Sequence, residues 1–130
     1  MSATVLVRSF DDLLKAALEG NWDLVDNSID SSHLTPYRLA WALGAGLSSK
    51  EENSREFAAM LLFKTRRDIS DGIARMRAQM SQDIHPIVQY WLAMALWKRG
   101  ERGFDIWIKL QSAKLHPEVG DLAGSLLKTK

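Results

Sequence analysis

The feature that most constrains this chain is a helical pattern that recurs at an interval of 31 residues. The dipeptides His85-Pro86 and His116-Pro117 are separated by that interval, and apolar residues follow each at matching distances. The matching positions are Val88, Leu92, Ala95 and Leu96 in the first copy and Val119, Ala123, Leu126 and Leu127 in the second. Proline is favoured at the first position of a helix, where its missing N–H has no partner to lose. We therefore expect both dipeptides to start helices, with Leu92 and Leu96 in the core.

Earlier segments extend the pattern. Thr35-Pro36 starts a further copy, since Trp41 and Trp91 both stand five residues after their prolines. Second helices lie between the copies, and in these Ile73 corresponds to Phe104 at the same interval. Two helices in each repeat are typical of chains whose repeats bury their apolar faces against their neighbours. The sequence predicts an all-α fold, specifically a short right-handed α-solenoid of about eight antiparallel helices.

Local signals and chain length agree with one helical domain. Two residue pairs have the spacing of a capping box, in which a hydroxyl and an acid satisfy each other's backbone N–H groups. These pairs are Ser9 with Asp12 and Ser49 with Glu52. The 130 residues match the size of a single domain. We expect a single repeat domain over residues 1–130, with residues 1–8 flexible.

Composition and charge exclude several classes of protein. The chain has no cysteine, which excludes a disulfide framework, a thiolate metal site and a cysteine nucleophile. No apolar run approaches the ~20 residues that a membrane span needs, and the amino-terminal residues do not resemble a signal peptide. The formal net charge of +1 divides into −4 for residues 1–63 and +5 for residues 64–130. We expect a cytoplasmic protein with no membrane partner, and nucleic acid is not the expected partner because the overall charge is so small.

Residues 85–100 resemble the first helix of a HEAT-type repeat. In that pattern proline starts the helix, valine follows two positions later, an Ala/Leu stripe packs it and glycine ends it. The segment is most similar to the short HEAT-like repeats of the phycobilin lyase type, and the resemblance covers residues 35–130. Gln89 and Gly120 depart from it, because arginine usually follows the valine. The resemblance implies a curved helical scaffold of a kind that mostly binds proteins, while a few such scaffolds bind DNA or modify a ligand.

Basic and aromatic side chains provide the candidate binding residues. Stacking of the repeats would align two basic groups along one edge. The first comprises Lys64, Arg66, Arg67, Arg75 and Arg77, and the second comprises Lys98, Arg99 and Arg102 from the next repeat. A solvated surface is the alternative interpretation. Tyr90 and Trp97 lie on a second apolar face of the helix over residues 86–99, which is either buried between neighbours or partly exposed to a partner. The candidates are Arg66, Arg67, Arg75, Tyr90, Trp97, Arg99 and Arg102.

No arrangement of residues points to catalysis, a cofactor or a metal. The three histidines share no metal-ligand spacing, and the glycines at Gly44 and Gly46 lack the partners of a phosphate loop. The carboxylate pairs Asp11-Asp12 and Glu51-Glu52 fall in first helical turns, where negative charge complements the helix dipole. We expect no cofactor and no metal site.

The function expected from these observations is non-enzymatic binding of another protein, as an adaptor, a chaperone-like subunit or an inhibitor. A groove on the helical repeats would receive a partner with an acidic surface. Homodimerisation through an uncapped end of the repeat stack is a further expectation. The alternative is a HEAT-like nucleic-acid-binding or DNA glycosylase-type protein, for which Asp105 and Trp107 are the one nearby pair of suitable residues, or a ligand lyase of the bilin-lyase type.

Overall fold

The computed structural model describes residues 8–128, and all regular secondary structure in that part of the chain is helical. The eight α-helices of the described residues are α1 (Phe10–Leu18), α2 (Trp22–Ser28), α3 (Pro36–Trp41), α4 (Glu52–Lys64), α5 (Ile73–Gln82), α6 (Pro86–Lys98), α7 (Phe104–Ala113) and α8 (Gly120–Leu127). The all-α prediction is confirmed. The expected flexibility of residues 1–8 falls, apart from Arg8, outside the described residues.

Several predicted helix starts are confirmed by their capping contacts. The Ser9 hydroxyl accepts the Asp12 N–H at 3.1 Å, and the Asp12 carboxylate accepts the Ser9 N–H at 3.4 Å. Thr35 precedes Pro36 and accepts the Arg38 N–H at 3.3 Å. These contacts satisfy amide groups that have no partner within their own helices.

Two predicted starts are wrong. Ser49 does not cap α4, because its hydroxyl accepts the N–H of Glu51 at 3.1 Å and the helix begins one residue later. The last helix begins at Gly120 rather than at Pro117, because residues 117–119 form a turn in which His116 Nδ1 accepts the Glu118 N–H at 3.1 Å. A Cβ atom at Gly120 would lie 2.7 Å from the Lys114 carbonyl oxygen, so the close turn needs glycine there.

Helix α6 lies at the centre of the molecule. It contacts α4, α5, α7 and α8, and the two predicted core residues Leu92 and Leu96 are both fully buried. Trp91 and Met94 are also buried, so the helix has neighbours on more than one side. The prediction that this helix supplies the core is confirmed.

The segment after α3 continues as a π-helical turn, Ala42–Gly46, which packs on α4. A Cβ atom at Gly46 would lie 2.8 Å from the Ala58 Cβ, which is closer than such atoms approach in proteins. Gly46 therefore permits close contact between the two elements. A Cβ atom at Gly44 would meet open space, so this glycine serves no such contact.

A buried ion pair fixes α4 against the turn between α5 and α6. The Asp83 carboxylate, 5% exposed, accepts Arg55 Nε at 2.8 Å, Gln79 Nε2 at 2.8 Å and the His85 N–H at 3.0 Å. Burial acts to raise the pKa of Asp83, but the hydrogen bonds from Arg55, His85 and Gln79 lower it below its ordinary value. The pair therefore holds the amino-terminal end of α6 in place. No helix within residues 8–128 is long and apolar enough to cross a membrane.

Candidate binding surface

Some members of the two predicted basic groups meet where α4 and α6 end. Lys98 Nζ donates to the Phe63 carbonyl oxygen at 2.7 Å, and Arg99 Nη2 donates to the Thr65 carbonyl oxygen at 2.9 Å. These bonds bring the end of α6 against the end of α4. We name the resulting surface the basic patch, which comprises Lys64, Arg66, Arg67, Lys98 and Arg99.

The charges of the basic patch act on one another. Partial burial lowers the pKa of Lys98, and the positive charges of Arg99, Arg66 and Lys64 lower it further. Burial also lowers the pKa of Arg99, which Asp68 partly offsets. The neighbouring cations disfavour the charged form of Lys98, which indicates that this surface is locally positive. An anion that binds there would be stabilised.

Arg66 is the free guanidinium of the basic patch. In the described part of the chain it makes no hydrogen bond or ion pair. Arg67 Nε instead donates to the Leu34 carbonyl oxygen at 2.8 Å, and Lys64 pairs with Asp26 at 2.7 Å. Arg99 donates to carbonyl oxygens at the end of α4 and beyond it, as a charged side chain that satisfies helix-end groups.

A groove opens beside this free arginine. It has a volume of about 470 Å³ and runs between the end of α4 and the segment that follows α2. Ile29 and Leu34 supply apolar lining, and three side chains of the basic patch, Lys64, Arg66 and Arg67, also line the groove. The residues that line it are Ile29, Asp30, Ser31, Leu34, Lys64, Thr65, Arg66 and Arg67.

Two predicted binding arginines lie apart from this groove. Arg75 donates to Gln79 at 2.7 Å and to Ser48 at 3.0 Å, and it lines a different depression. Arg102 donates to the Trp97 carbonyl oxygen at 2.9 Å and stacks on the Trp97 ring with its guanidinium carbon 3.7 Å from the centroid. Their charges are therefore committed to local contacts that order α5 and the end of α6.

The predicted aromatic anchors are half-buried. Trp97 Nε1 donates to the Leu126 carbonyl oxygen at 3.0 Å, which ties α6 to α8. The Tyr90 ring meets the His116 ring edge to face at a centroid distance of 5.8 Å. Each residue thus has a structural contact on one side, while its role in binding stays a prediction.

The structure also forms a cavity that the sequence analysis missed, which we name the acidic cleft. Its volume is about 410 Å³, and it is bounded by residues of α2, α4, α6 and the region around the start of α8. The lining residues are Gly20, Asn21, Trp22, Asp23, Asp26, Glu56, Met60, Trp91, Glu118 and Leu122.

Glu56 is the buried acid of this cleft, with only 4% of the residue exposed. Trp91 Nε1 donates to Glu56 Oε2 at 3.3 Å. Burial raises the pKa of Glu56 to about 7, and the negative charges of Glu118 and Glu52 raise it, while the hydrogen bond from Trp91 opposes the shift. In the sequence, the sign of this buried acid is that Glu56 directly precedes the apolar run 57–63.

The residues considered for catalysis do not converge. Asp105 is exposed and pairs with Arg77 Nε at 3.0 Å, while Trp107 is also exposed on α7. Within the described residues, no group of three His, Asp or Glu side chains is arranged to hold a metal ion. His85 Nδ1 lies 2.6 Å from Glu52 Oε1, as a surface pair at the start of α6.

Comparisons of this chain with known protein families, with curated proteins and with solved structures find no match.

Proposed function

We propose that this chain is a non-enzymatic protein-binding module that takes an acidic segment of a partner protein into the groove beside Arg66. The observation that carries the proposal is an open groove at the basic end of α4, lined by the apolar side chains of Ile29 and Leu34 and by three cations, Lys64, Arg66 and Arg67. Within residues 8–128 the guanidinium of Arg66 makes no hydrogen bond or ion pair, so it is available to a ligand in the groove.

The chemistry of the groove matches a segment that mixes acidic and apolar side chains. Arginine engages carboxylates through two parallel N–H donors, and a positive rim accelerates the encounter with a negative partner. Apolar lining supplies burial once the segment has docked. Arg67 is held by the Leu34 carbonyl oxygen, so one cation of the groove is ordered before binding.

The finer architecture and the location belong to the same proposal. We propose a short right-handed solenoid of antiparallel helix pairs, in which α4, α6 and α8 form one row. The contacts of α6 with both α4 and α8 support this order. A cytoplasmic location is proposed from the absence of cysteine in the sequence.

The test uses two short fluorescein-labelled peptides, one alternating Glu with Leu and the other alternating Lys with Leu. We expect the purified chain to bind the acidic peptide, and Arg66→Glu to slow association roughly tenfold and reduce its salt dependence. Lys15→Glu is the matched control, because Lys15 is exposed on α1 and the charge change is the same.

Unchanged association of the Arg66→Glu variant, or equal binding of the lysine peptide, would exclude this groove as the site. Tight binding of duplex DNA at low salt by the same chain would favour the nucleic-acid alternative instead. If the chain binds the acidic peptide as expected, affinity capture from a native extract then identifies its physiological partner.

Self-association is the second arm of the proposal, because α7 exposes several large apolar side chains. Phe104 is 74% exposed, and Trp107 and Ile108 are each 41% exposed. An apolar surface of this kind is typical of an interface. We expect sedimentation velocity to show a dimer that Trp107→Arg dissociates, whereas a monomer at all concentrations would contradict the expectation.

A further inference from the structure

The acidic cleft lies outside the basic patch and has the opposite charge. Asp23 and Asp26 of α2 and Glu118 before α8 stand along its walls, and Glu56 of α4 lies within it. Lys64 is the neighbouring cation, and it is paired with Asp26 at 2.7 Å. The cleft is therefore a concave surface with several carboxylates and two indole rings, those of Trp22 and Trp91.

The buried carboxylate of Glu56 is only half satisfied. Oε2 accepts the Trp91 N–H, whereas Oε1 has no hydrogen-bond donor among the described residues and is not fully covered by protein. Glu56 lines the cleft, so this oxygen borders the open volume. A buried carboxylate without a cationic partner is unfavourable, and a cation in the cleft would remove that cost.

The walls favour an organic cation over a metal ion. No three acidic or histidine side chains in residues 8–128 come together in a way that could hold a metal. The tryptophans and Met60 instead provide apolar surface for a hydrocarbon stem, and indole faces attract ammonium and guanidinium groups.

We propose that the acidic cleft binds a single alkylammonium or guanidinium group, with Glu56 as its counter-charge and Trp22 and Trp91 beside its hydrocarbon stem. The group belongs either to a free amine or to a lysine or arginine side chain of a peptide. This site uses none of the residues of the basic patch, so its test is independent of the proposed function.

Binding is coupled to ionisation of Glu56. A bound cation stabilises the ionised carboxylate, so the cation displaces a proton at a pH below the value of about 7 at which free Glu56 titrates. The other charged groups around Glu56 are the carboxylates of Glu52 and Glu118, those of Asp23 and Asp26, and two partners of these acids, His85 and Lys64. Affinity is expected to rise about tenfold from pH 6 to pH 8, in proportion to the ionised fraction of Glu56.

The experiment titrates the ¹⁵N-labelled chain with n-butylammonium, with n-butylguanidinium and with a short peptide containing one lysine. The indole N–H signals of Trp91 and Trp22 report binding, since both rings line the cleft. We expect saturable shifts of these signals at pH 8 and about tenfold weaker binding at pH 6. A tighter interaction with the peptide than with n-butylammonium would identify a protein side chain as the source of the cation.

Glu56→Gln keeps an oxygen to accept the Trp91 N–H, and it is expected to abolish the saturable shifts and their pH dependence. The matched control is Asp71→Asn, an exposed acid that does not line the cleft, and it should bind like the unaltered chain. Saturable binding of n-butanol with the same affinity, equal binding by Glu56→Gln, or no saturation at pH 8 would each overturn the proposal. Preserved ¹⁵N spectra in both variants show that the fold is intact.

Discussion

Glu56 shows how one residue can oppose the stability of the fold that contains it. Its carboxylate is largely buried between α4 and α6, and the one hydrogen bond that it makes within residues 8–128 comes from a neutral indole. Ionised, it lies near Glu118 and Glu52, which are also negative. The neutral form is therefore favoured in the folded chain up to a pH of about 7, compared with 4.5 for an ordinary glutamate.

This difference predicts how stability changes with pH. The folded chain holds the Glu56 proton between pH 4.5 and about 7, where the unfolded chain has lost it, so the free energy of unfolding falls as pH rises through this window. Glu56→Gln has no such loss and should be more stable than the unaltered chain at pH 8 by on the order of 3 kcal/mol. At pH 5 the difference should be below about 1 kcal/mol. Urea denaturation at the two pH values measures both quantities, and an equal difference at both would contradict the argument.

The cations near the helix ends show a second effect of single residues. Arg99 and Lys98 belong to α6 and its cap, yet their donors reach carbonyl oxygens at the end of α4. Arg102, in the loop after α6, turns back on Trp97 of that helix. Long basic side chains thus donate hydrogen bonds to the carbonyl oxygens at helix ends. Only some of the cations that were predicted to bind a partner are therefore free to do so.

Helix α4 and the π-helical turn before it depend on a single small residue at their contact. Gly46 lies where any Cβ would press on Ala58 and on the ring of Trp41. The interval from α3 to α4 is short, so neither element can move away without disturbing the aromatic cluster of Phe10, Trp41 and Phe57. The close distance between the π-helical turn and α4 therefore depends on the absence of a side chain at Gly46.

We expect Gly46→Ala to lower the free energy of unfolding by about 1–3 kcal/mol, the usual cost of an extra methyl group in a packed contact. Gly44→Ala is the control on the same turn, because no atom lies within 4 Å of its added Cβ. The control should leave stability unchanged or raise it by up to about 1 kcal/mol, since alanine is the better helix former. Chemical denaturation of both variants makes the comparison. Equal effects of the two changes would show that the contact does not limit packing.

The whole molecule is organised around α6. Four other helices contact it, and its apolar side chains are buried nearly all round. The ion pair of Asp83 with Arg55 fixes its beginning, and the bonds of Lys98 and Arg99 to α4 fix its end. Loss of packing at the centre of α6 should therefore destabilise the packing of every helix that contacts it.

Leu92→Ala is expected to cost about 2–5 kcal/mol of unfolding free energy, because a fully buried leucine leaves a cavity. Leu115→Ala makes the same chemical change at a side chain that is 85% exposed, and it should alter stability by less than about 0.5 kcal/mol. Thermal unfolding followed by circular dichroism separates the two. Similar midpoints for both variants would show that α6 does not carry the core.

The sequence by itself determined the features that depend on neighbouring residues. Helix content, the cap at Ser9, the starts at Pro36 and Pro86 and the core face of α6 all follow from side chains a few positions apart. Helical periodicity and capping act within one or two turns, so a linear pattern contains their causes. The start predicted at Pro117 failed because the turn around His116 and the close approach at Gly120 replaced that helical turn.

Only the tertiary structure decided which charged side chains are free to bind a ligand and which are held by contacts within the fold. Arg66 and Arg67 are adjacent in sequence, but within the described part of the chain Arg66 is unpaired, while Arg67 is held by Leu34, which lies 33 residues earlier. Glu56 becomes a buried acid because α6 places Trp91, 35 residues later, against it. Hydrogen bonds and burial of this kind depend on how helices pack in space, and packing brings together groups whose separation along the chain carries no local signal.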